Sequence, residues 1–520
     1  MLTTASFYQI LLSLVAIFVV YKILKYFTYT GLKRSEMPLN MLSSSHRQLG
    51  LFEKIFDIFS MERSGSNNIC IAISIKSNVS LVHRHVHDAL ILLVKRQPML
   101  RAVITTMSNG DKYFIVKEIE EAIAMLDITT SDVKSSDWKD IWYEHTSKQR
   151  ASNGLLWRVV ILKEEFITDT KNYANTLVFN FNHSCIDGVS CVKFCQQLLA
   201  RMNELANGSS CVEEEICSLD LLPYYHNIII RGRIWHSLFN FILTYSGLQP
   251  ILNYLMKKML VRVMQKKPLN PYYAQFSRNI ETPQDGARNS PVIKEFSKDE
   301  TIKFVKACKA NNCTVTGAIT AAIHLAFCYL LQNDQSKELV FDYMFAINSR
   351  RFCNPKPDED YLGVFMYNSD YSLKYADNAN TSFWKLAQQI SQNLKDILRN
   401  EAFVPEMTVL DKALKPEEFV KNVFDPNYLH KAMCNYITSF GSFHVDDDKV
   451  EQSTVYSLSN FFTNTLFISD TNFNFGHFVY SIDDRMTWQI VKDVAVDNGH
   501  ADKFCKLCFD KLLKISSGIA

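Results

Sequence analysis

The chain has 520 residues, of which 47% are hydrophobic, and this is enough for a large core and two or three domain-sized units. Lysine and arginine number 56 against 54 acidic residues, so no basic excess indicates a nucleic-acid partner. The 13 cysteines have no regular spacing, so we expect reduced thiols and no metal site.

An uncharged stretch of 20 residues, from Leu2 to Tyr21, opens the chain and is long enough to span a bilayer. Lys22 and Lys25 lie on its C-terminal side, which by the positive-inside rule places the rest of the chain in the cytosol. We therefore predict an N-terminal transmembrane anchor over residues 1–30 of a single-pass protein of the endoplasmic reticulum. A buried or interfacial helix is the alternative.

Strands and one amphipathic helix are predicted next, from apolar alternation and helical spacing. The helix covers residues 80–97 and ends at Pro98. His83 and His87 share one face of it, but no third ligand is near, so we interpret them as part of a polar face. The predicted strands are 68–77, 99–106, 112–116 and 155–162.

A histidine motif at the end of a predicted strand is the most informative feature. Residues 175–182 alternate as a strand, and residues 189–200 have helical spacing. Between them, His183, Asp187 and Gly188 form the pattern H-x-x-x-D-G. A neutral imidazole, with an ordinary pKa of about 6.5, can take a proton from a hydroxyl near neutral pH. The motif predicts His183 as a general base, with an accidental match as the alternative.

The residues around this histidine have predicted roles of their own. Asp187 either orients the imidazole or anchors the turn to a distant cation. Gly188 is expected to supply a backbone conformation that a side chain would forbid. Asn182 begins a glycosylation sequon, and a glycan there would block the site, which favours a cytosolic catalytic domain.

The middle of the chain has a different character. Residues 228–264 are predicted as an amphipathic helix with interspersed basic residues, either a second contact with the membrane surface or a linker packed on protein. Residues 270–291 are rich in proline and asparagine and indicate a crossover. Ser297 and Glu300 then predict a capping box at the start of a helix. Later predicted elements are helices at 315–332, 384–399 and 501–515 and strands at 338–347, 452–467 and 475–482.

Four places in the chain resemble the chloramphenicol-acetyltransferase-like acyltransferases, which include alcohol O-acetyltransferases, wax-ester-synthase relatives, plant BAHD-type acyltransferases and peptide-synthetase condensation domains. The segment from His183 to Gly188 is similar to the catalytic motif of that superfamily, and this match is the specific one. The supporting segments are Val94–Arg101 (similar to R-H-P-x-L-R), Ile347–Arg350 with Asp360–Gly363 (similar to V-N-x-R … Y-x-G), and Tyr456–Asn460 with Asn472–Gly476 (similar to S-N and F-G-x-G).

The resemblance implies an α+β fold of two pseudo-symmetric chloramphenicol-acetyltransferase-like subdomains with a tunnel between them. The implied subdomains are residues 45–215 and 296–516, separated by an amphipathic helical crossover at 216–295. An acyl thioester would enter the tunnel from one face and the acceptor from the other.

The resemblance also implies roles for single residues. His183 would be the general base, and Asp187 would be structural and paired with Arg350. Ser459 and Asn460 are candidates for oxyanion or substrate contacts, because the plant D-F-G-W-G box is incomplete in this chain and Val364 replaces an asparagine of the superfamily.

The expected function is that of a membrane-anchored O-acyltransferase that moves an acyl group from acyl-CoA to the hydroxyl of a lipophilic alcohol. We expect a monomer with acyl-CoA as co-substrate and no cofactor. The alternatives are an N-acyltransferase, a carrier-dependent condensation enzyme, and a non-catalytic lipid- or protein-binding protein.

Overall fold

The computed structural model describes residues 45–518, and the predicted anchor at 1–30 lies outside this range. The internal residues that it leaves out are 63–64, 66, 148–152, 209–215, 231–232, 246, 248, 267–290, 332–339, 375–381, 402, 424–432, 446–453, 466–472 and 494–495.

Strands and helices alternate through both halves of the described chain. The strands are β1 (His46–Gln48), β2 (Ile69–Ser77), β3 (Ala102–Thr106), β4 (Lys112–Val116), β5 (Ile128–Lys134), β6 (Trp157–Lys163), β7 (Glu165–Ile167), β8 (Asn172–Phe181), β9 (Val292–Glu295), β10 (Val340–Asn348), β11 (Met366–Lys374), β12 (Met433–Phe443), β13 (Ser457–Thr465), β14 (Phe475–Ile482) and β15 (Arg485–Lys492). The helices are α1 (Leu51–Glu62), α2 (His83–Arg96), α3 (Ile119–Ala124), α4 (Trp138–Ser147), α5 (Gly188–Ala206), α6 (Tyr225–Ile230), α7 (Ile234–Tyr245), α8 (Gln249–Lys266), α9 (Lys298–Ala310), α10 (Val315–Leu330), α11 (Phe383–Asn400), α12 (Phe403–Ala413), α13 (Pro416–Val423) and α14 (Asn498–Ser516).

The sheet of the first half, here the N-sheet, has the order β13-β2-β8-β6-β5, with β7 also paired to β8. Its pairs are antiparallel except for β5 with β6. Leu177, Phe179 and Phe181 of β8 face a core that α2 and α5 complete, whereas Val178 lies in a separate cluster on the opposite face. This alternation, which predicted the strand, buries both faces of the sheet.

The sheet of the second half, here the C-sheet, has the order β11-β10-β12-β14-β15-β9. The central pairs β10–β12 and β12–β14 are parallel, and the outer pairs are antiparallel. Phe327 of α10 and Phe504 of α14 pack in its core with ring centroids 4.5 Å apart and ring planes tilted by 45°. The predicted capping box at Ser297 and Glu300 starts α9.

Two strands pair with a sheet outside the predicted unit in which each of them lies. Strand β13 follows most of the C-sheet in sequence but pairs with β2 of the N-sheet, with Thr463 opposite Ile71. Strand β9 falls in the predicted crossover but pairs with β15 of the C-sheet. The two halves are therefore joined by an exchanged strand as well as by side-chain packing.

The amphipathic segment predicted at 228–264 is three helices rather than one: α6, α7 and α8. Gly247 has a φ of 70°, a left-handed conformation that interrupts a helix, and Pro250 lies in the first turn of α8, where a missing N–H costs nothing. Among the helices that the structure describes, none alone is long and apolar enough to cross a bilayer. Helices α9 and α10 reach that length and apolarity only when they are taken together, and the angle between them is 94°.

Candidate active site

His183 lies in the turn between β8 and α5, as the strand-turn-helix pattern predicts. Its Nδ1 is 2.9 Å from the carbonyl oxygen of Ile186. Because a carbonyl can only accept, Nδ1 carries the proton and Nε2 keeps the lone pair. The side chain is almost fully buried and borders a cavity between the two halves. The backbone of the motif therefore selects the tautomer that a general base needs.

Helix α1 supports this histidine from one side. The Phe56 ring stacks on the imidazole, with ring centroids 4.0 Å apart and planes 5° from parallel. The next residue, Asp57, accepts a hydrogen bond of 3.2 Å from Asn182 and forms an ion pair of 2.7 Å with Lys112. The sequence analysis missed Phe56 and Asp57, because one phenylalanine in an apolar helix gives no signal that separates it from the core.

Burial lowers the pKa of His183 below 6.5, and the charge of Asp187 opposes this shift only in part. The imidazole of His183 should therefore stay neutral at pH values at which a solvent-exposed histidine is already protonated. We expect the acid limb of kcat/KM to have its midpoint below pH 6.5, since the base acts unprotonated. A pH profile with a soluble acceptor measures this, and an acid limb with its midpoint above 6.5 would contradict it.

The carboxylate of Asp187 accepts four hydrogen bonds, and none of them comes from the imidazole. It forms a two-pronged ion pair with Arg350, at 2.9 and 3.1 Å. The backbone N–H groups of Ser190 and Phe365 each donate to it at 2.8 Å. Burial alone would raise the pKa of Asp187, but these partners hold it below its ordinary value. Of the two roles open for Asp187, the geometry is that of an anchor to a distant cation.

Arg350 also ties together two of the segments that resemble known acyltransferases. Its guanidinium donates to Ser190 Oγ at 2.6 Å and to the Gly363 carbonyl at 3.2 Å, and it lies 4.6 Å from the Phe365 ring centroid. Ser190 Oγ in turn donates to Gly363 O at 2.9 Å. The histidine turn of the first half is thus held against the second half by charge-assisted hydrogen bonds.

Glycine is needed at position 188 for a different reason from the predicted one. Gly188 is not among the glycines with positive φ, so its backbone conformation does not require glycine. A Cβ atom at this position would instead overlap the ring of Phe440, which approaches from the second half. Glycine is required there because of close packing between the halves.

Replacing Gly188 with alanine should therefore push Phe440 into the cavity. We expect Gly188→Ala to reduce turnover and to lower the free energy of unfolding by about 1–3 kcal/mol, the usual cost of overpacking. The double variant Gly188→Ala/Phe440→Ala removes the overlap and should recover part of the stability. Steady-state assays and denaturant unfolding measure both effects, and a single variant equal to the wild type would show that the overlap is unimportant.

The cavity beside His183 has about 530 Å³ of empty space and is open to solvent. Its apolar wall includes Ile69, Phe365, Met366, Phe440 and Phe478. Its hydroxyl groups come from two strands, β12 and β13, and belong to Tyr436, Thr438, Ser439, Thr463 and Thr465. The site can therefore hold an apolar molecule and present it to hydrogen-bond donors and to one base.

Ser459 and Asn460 do not border this cavity. They lie near the start of β13, where a register shift between Leu458 and Asn460 interrupts the ladder, and Ser459 is exposed. The cavity is reached by Thr463 and Thr465 at the other end of the same strand. The strand was identified correctly, but the residues of it that face the cavity could not be chosen without the register.

Comparison with solved structures shows that this fold is a known one. Trichothecene 15-O-acetyltransferase from Fusarium sporotrichioides has a TM-score of 0.69 and 14% identity over 94% of this chain and 99% of that one. The epimerization domain of the third module of tyrocidine synthetase B has a TM-score of 0.61 and 12% identity over 94% and 99%. The condensation domain of the monacolin K polyketide synthase has a TM-score of 0.57 and 10% identity over 92% and 99%.

These similarities and the histidine motif define a protein of the chloramphenicol-acetyltransferase-like and condensation-domain superfamily. The model of the alcohol acetyltransferase family matches residues 137–513, which is more than half of the chain. The chain belongs to the alcohol acetyltransferase family, and it is an acyltransferase. Comparison with curated proteins gives no significant match.

Proposed function

We propose that the protein transfers an acyl group from acyl-CoA to the hydroxyl of a lipophilic alcohol, with His183 as general base. One observation carries this proposal: the buried imidazole donates Nδ1–H to Ile186 O, which leaves Nε2 basic beside a cavity between the halves. The family to which the chain belongs supports the alcohol acceptor.

The proposed reaction needs one base and no covalent enzyme intermediate. Nε2 of His183 takes the proton of the acceptor hydroxyl while its oxygen attacks the thioester carbonyl. The tetrahedral intermediate then collapses, the C–S bond breaks, and the thiolate leaves with the proton that the imidazolium returns. A C–O bond has replaced a C–S bond, and the products are an ester and a free thiol.

The surroundings of His183 fit these steps. Thr438 and Thr463 border the cavity, so their hydroxyls are the candidate donors to the developing oxyanion, and one such donor is worth about 2.7–4 kcal/mol in known enzymes. Asp187 and Arg350 hold the turn through their ion pair. The apolar wall favours a lipophilic acceptor or acyl chain.

We further propose that the enzyme is a monomer anchored by residues 1–30, with its catalytic part on the cytosolic face of the endoplasmic reticulum. The support is the uncharged stretch from Leu2 to Tyr21 and the basic residues that follow it.

The experiment is a donor and acceptor panel assayed by free-thiol release. Detergent-solubilised full-length protein is given acetyl-, medium-chain or long-chain acyl-CoA, or acyl-pantetheine as a mimic of a carrier-bound donor. Each donor is paired with alcohols, sterols or amines, or with no acceptor. We expect thiol release that depends on both a CoA thioester and an alcohol.

Other outcomes would select an alternative. Release that depends on amines indicates N-acyl transfer, and release only from acyl-pantetheine indicates a carrier-dependent enzyme. A folded protein that releases no thiol from any donor would contradict the proposed reaction.

A further inference from the structure

Helices α7 and α8 follow one another in the chain and both pack on α12; this pair of helices, here called the hairpin, exposes an unusual number of apolar side chains. Ile234, Phe241, Tyr245, Ile251 and Tyr254 are each more than half exposed. In the rest of the described chain, only Phe166 among the large hydrophobic residues is exposed to that degree. Exposed apolar side chains concentrated on two consecutive helices of a water-soluble surface mark an interaction site.

The opposite face of the same hairpin is already packed on protein. Leu243 of α7 and Leu252 and Met256 of α8 are buried in a cluster with Ala413 of α12. A helix that covers a protein core on one side has a polar outer side when that side faces water. The hairpin has apolar side chains on both sides, so its outer side is suited to contact with an apolar environment other than the protein core.

The charge of this region identifies that environment. From residue 233 to residue 266 the sequence contains 5 lysines and arginines and no aspartate or glutamate, although the whole chain is nearly balanced at 56 to 54. Acidic residues of neighbouring elements neutralise two of the cations: Glu401 pairs with Arg233, and Glu418 pairs with Lys257. Lys258 and Arg262 remain exposed on the last turns of α8.

We propose that the α7–α8 hairpin lies in the interfacial region of a lipid bilayer that carries anionic headgroups. Its five exposed side chains enter the boundary between headgroups and acyl chains, and the side chains of Lys258 and Arg262 contact the phosphates. Apolar burial combined with basic charge is the pattern of interfacial helices. This inference concerns a surface away from His183 and holds independently of the reaction.

The hairpin is also connected to the wall of the active-site cavity. Helix α6, which precedes it, packs through Ile228 and Ile229 in a cluster that contains Ile347 and Phe365. Ile347 and Phe365 border the cavity of His183.

The test places a photo-crosslinker at the proposed contact in the full-length protein. Phe241→p-benzoylphenylalanine and, separately, Tyr254→p-benzoylphenylalanine are reconstituted in nanodiscs of phosphatidylcholine and phosphatidylserine. Phe166→p-benzoylphenylalanine is the matched control, because Phe166 has 54% exposure against 57% for Phe241 and lies on β7 of the N-sheet. Adducts are identified by mass spectrometry after irradiation.

We expect lipid adducts at positions 241 and 254, loss of most of them when phosphatidylserine is replaced by phosphatidylcholine, and few at position 166. Adducts to a second copy or to another protein at 241 and 254 would overturn the proposal, as would equal lipid yields at all three positions. Protein that fails to associate with nanodiscs would overturn it too. Thiol release with a water-soluble alcohol, measured on the same variants, reports the catalytic proposal separately.

Discussion

Replacing His183 with alanine is expected to reduce turnover by about 10²–10⁴-fold, the usual contribution of a positioned general base. The imidazole lies between Phe56 and the cavity, and its proton is held on Nδ1 by the Ile186 carbonyl, which leaves Nε2 as the base. Steady-state rates with saturating donor and acceptor measure the effect.

Two controls keep this result interpretable. His87→Ala removes a half-exposed histidine on α2 and should leave turnover unchanged. Circular dichroism and thermal unfolding should show that His183→Ala keeps its fold and still binds acyl-CoA. A folded His183→Ala variant with wild-type turnover would show that the histidine is not the base.

Removing Asp187 should destabilise the protein more than any surface charge does. The carboxylate and its partner Arg350 are both nearly buried, with side-chain exposures of 5% and 12%, so Asp187→Ala leaves an uncompensated charge and the start of α5 without its cap. We expect the free energy of unfolding to fall by about 3–5 kcal/mol. Chemical denaturation of the purified variant measures this.

The matched control is Asp88→Ala, which removes the partner of the exposed Arg84 on α2 and should cost about 0–1 kcal/mol. The double variant Asp187→Ala/Arg350→Met should be less destabilised than the sum of its single variants, since it leaves no unpaired charge. Fully additive losses, or an Asp187→Ala variant as stable as Asp88→Ala, would contradict the structural role.

The catalytic turn could be predicted from the sequence because its determinants are local. Apolar alternation specified β8, helical spacing specified α5, and the residues between them had to form the turn that holds His183. The Asp187–Arg350 pair came from resemblance to known acyltransferases. The residues themselves left two roles open for Asp187, because the sequence does not show which cation lies opposite.

The remaining features depend on contacts between residues that are far apart in the chain. The pairing of β13 with β2 places Thr463, and not Ser459, at the cavity. The register of a strand depends on its partner strand, so the sequence of β13 alone does not predict it. Phe56 stacks on His183, and the ring of Phe440 occupies the space beside Gly188. Their hydrophobic character predicts burial but does not predict those neighbours.

The measurement that tests the central claim most directly is ester formation from isotopically labelled acetyl-CoA. Wild type and His183→Ala are incubated with the donor and with the best alcohol from the panel, and labelled ester and free thiol are quantified by mass spectrometry. The account predicts equal amounts of ester and thiol with the wild type, none without the alcohol, and little of either with His183→Ala. Thiol without ester, or ester formed equally well by folded His183→Ala, would contradict it.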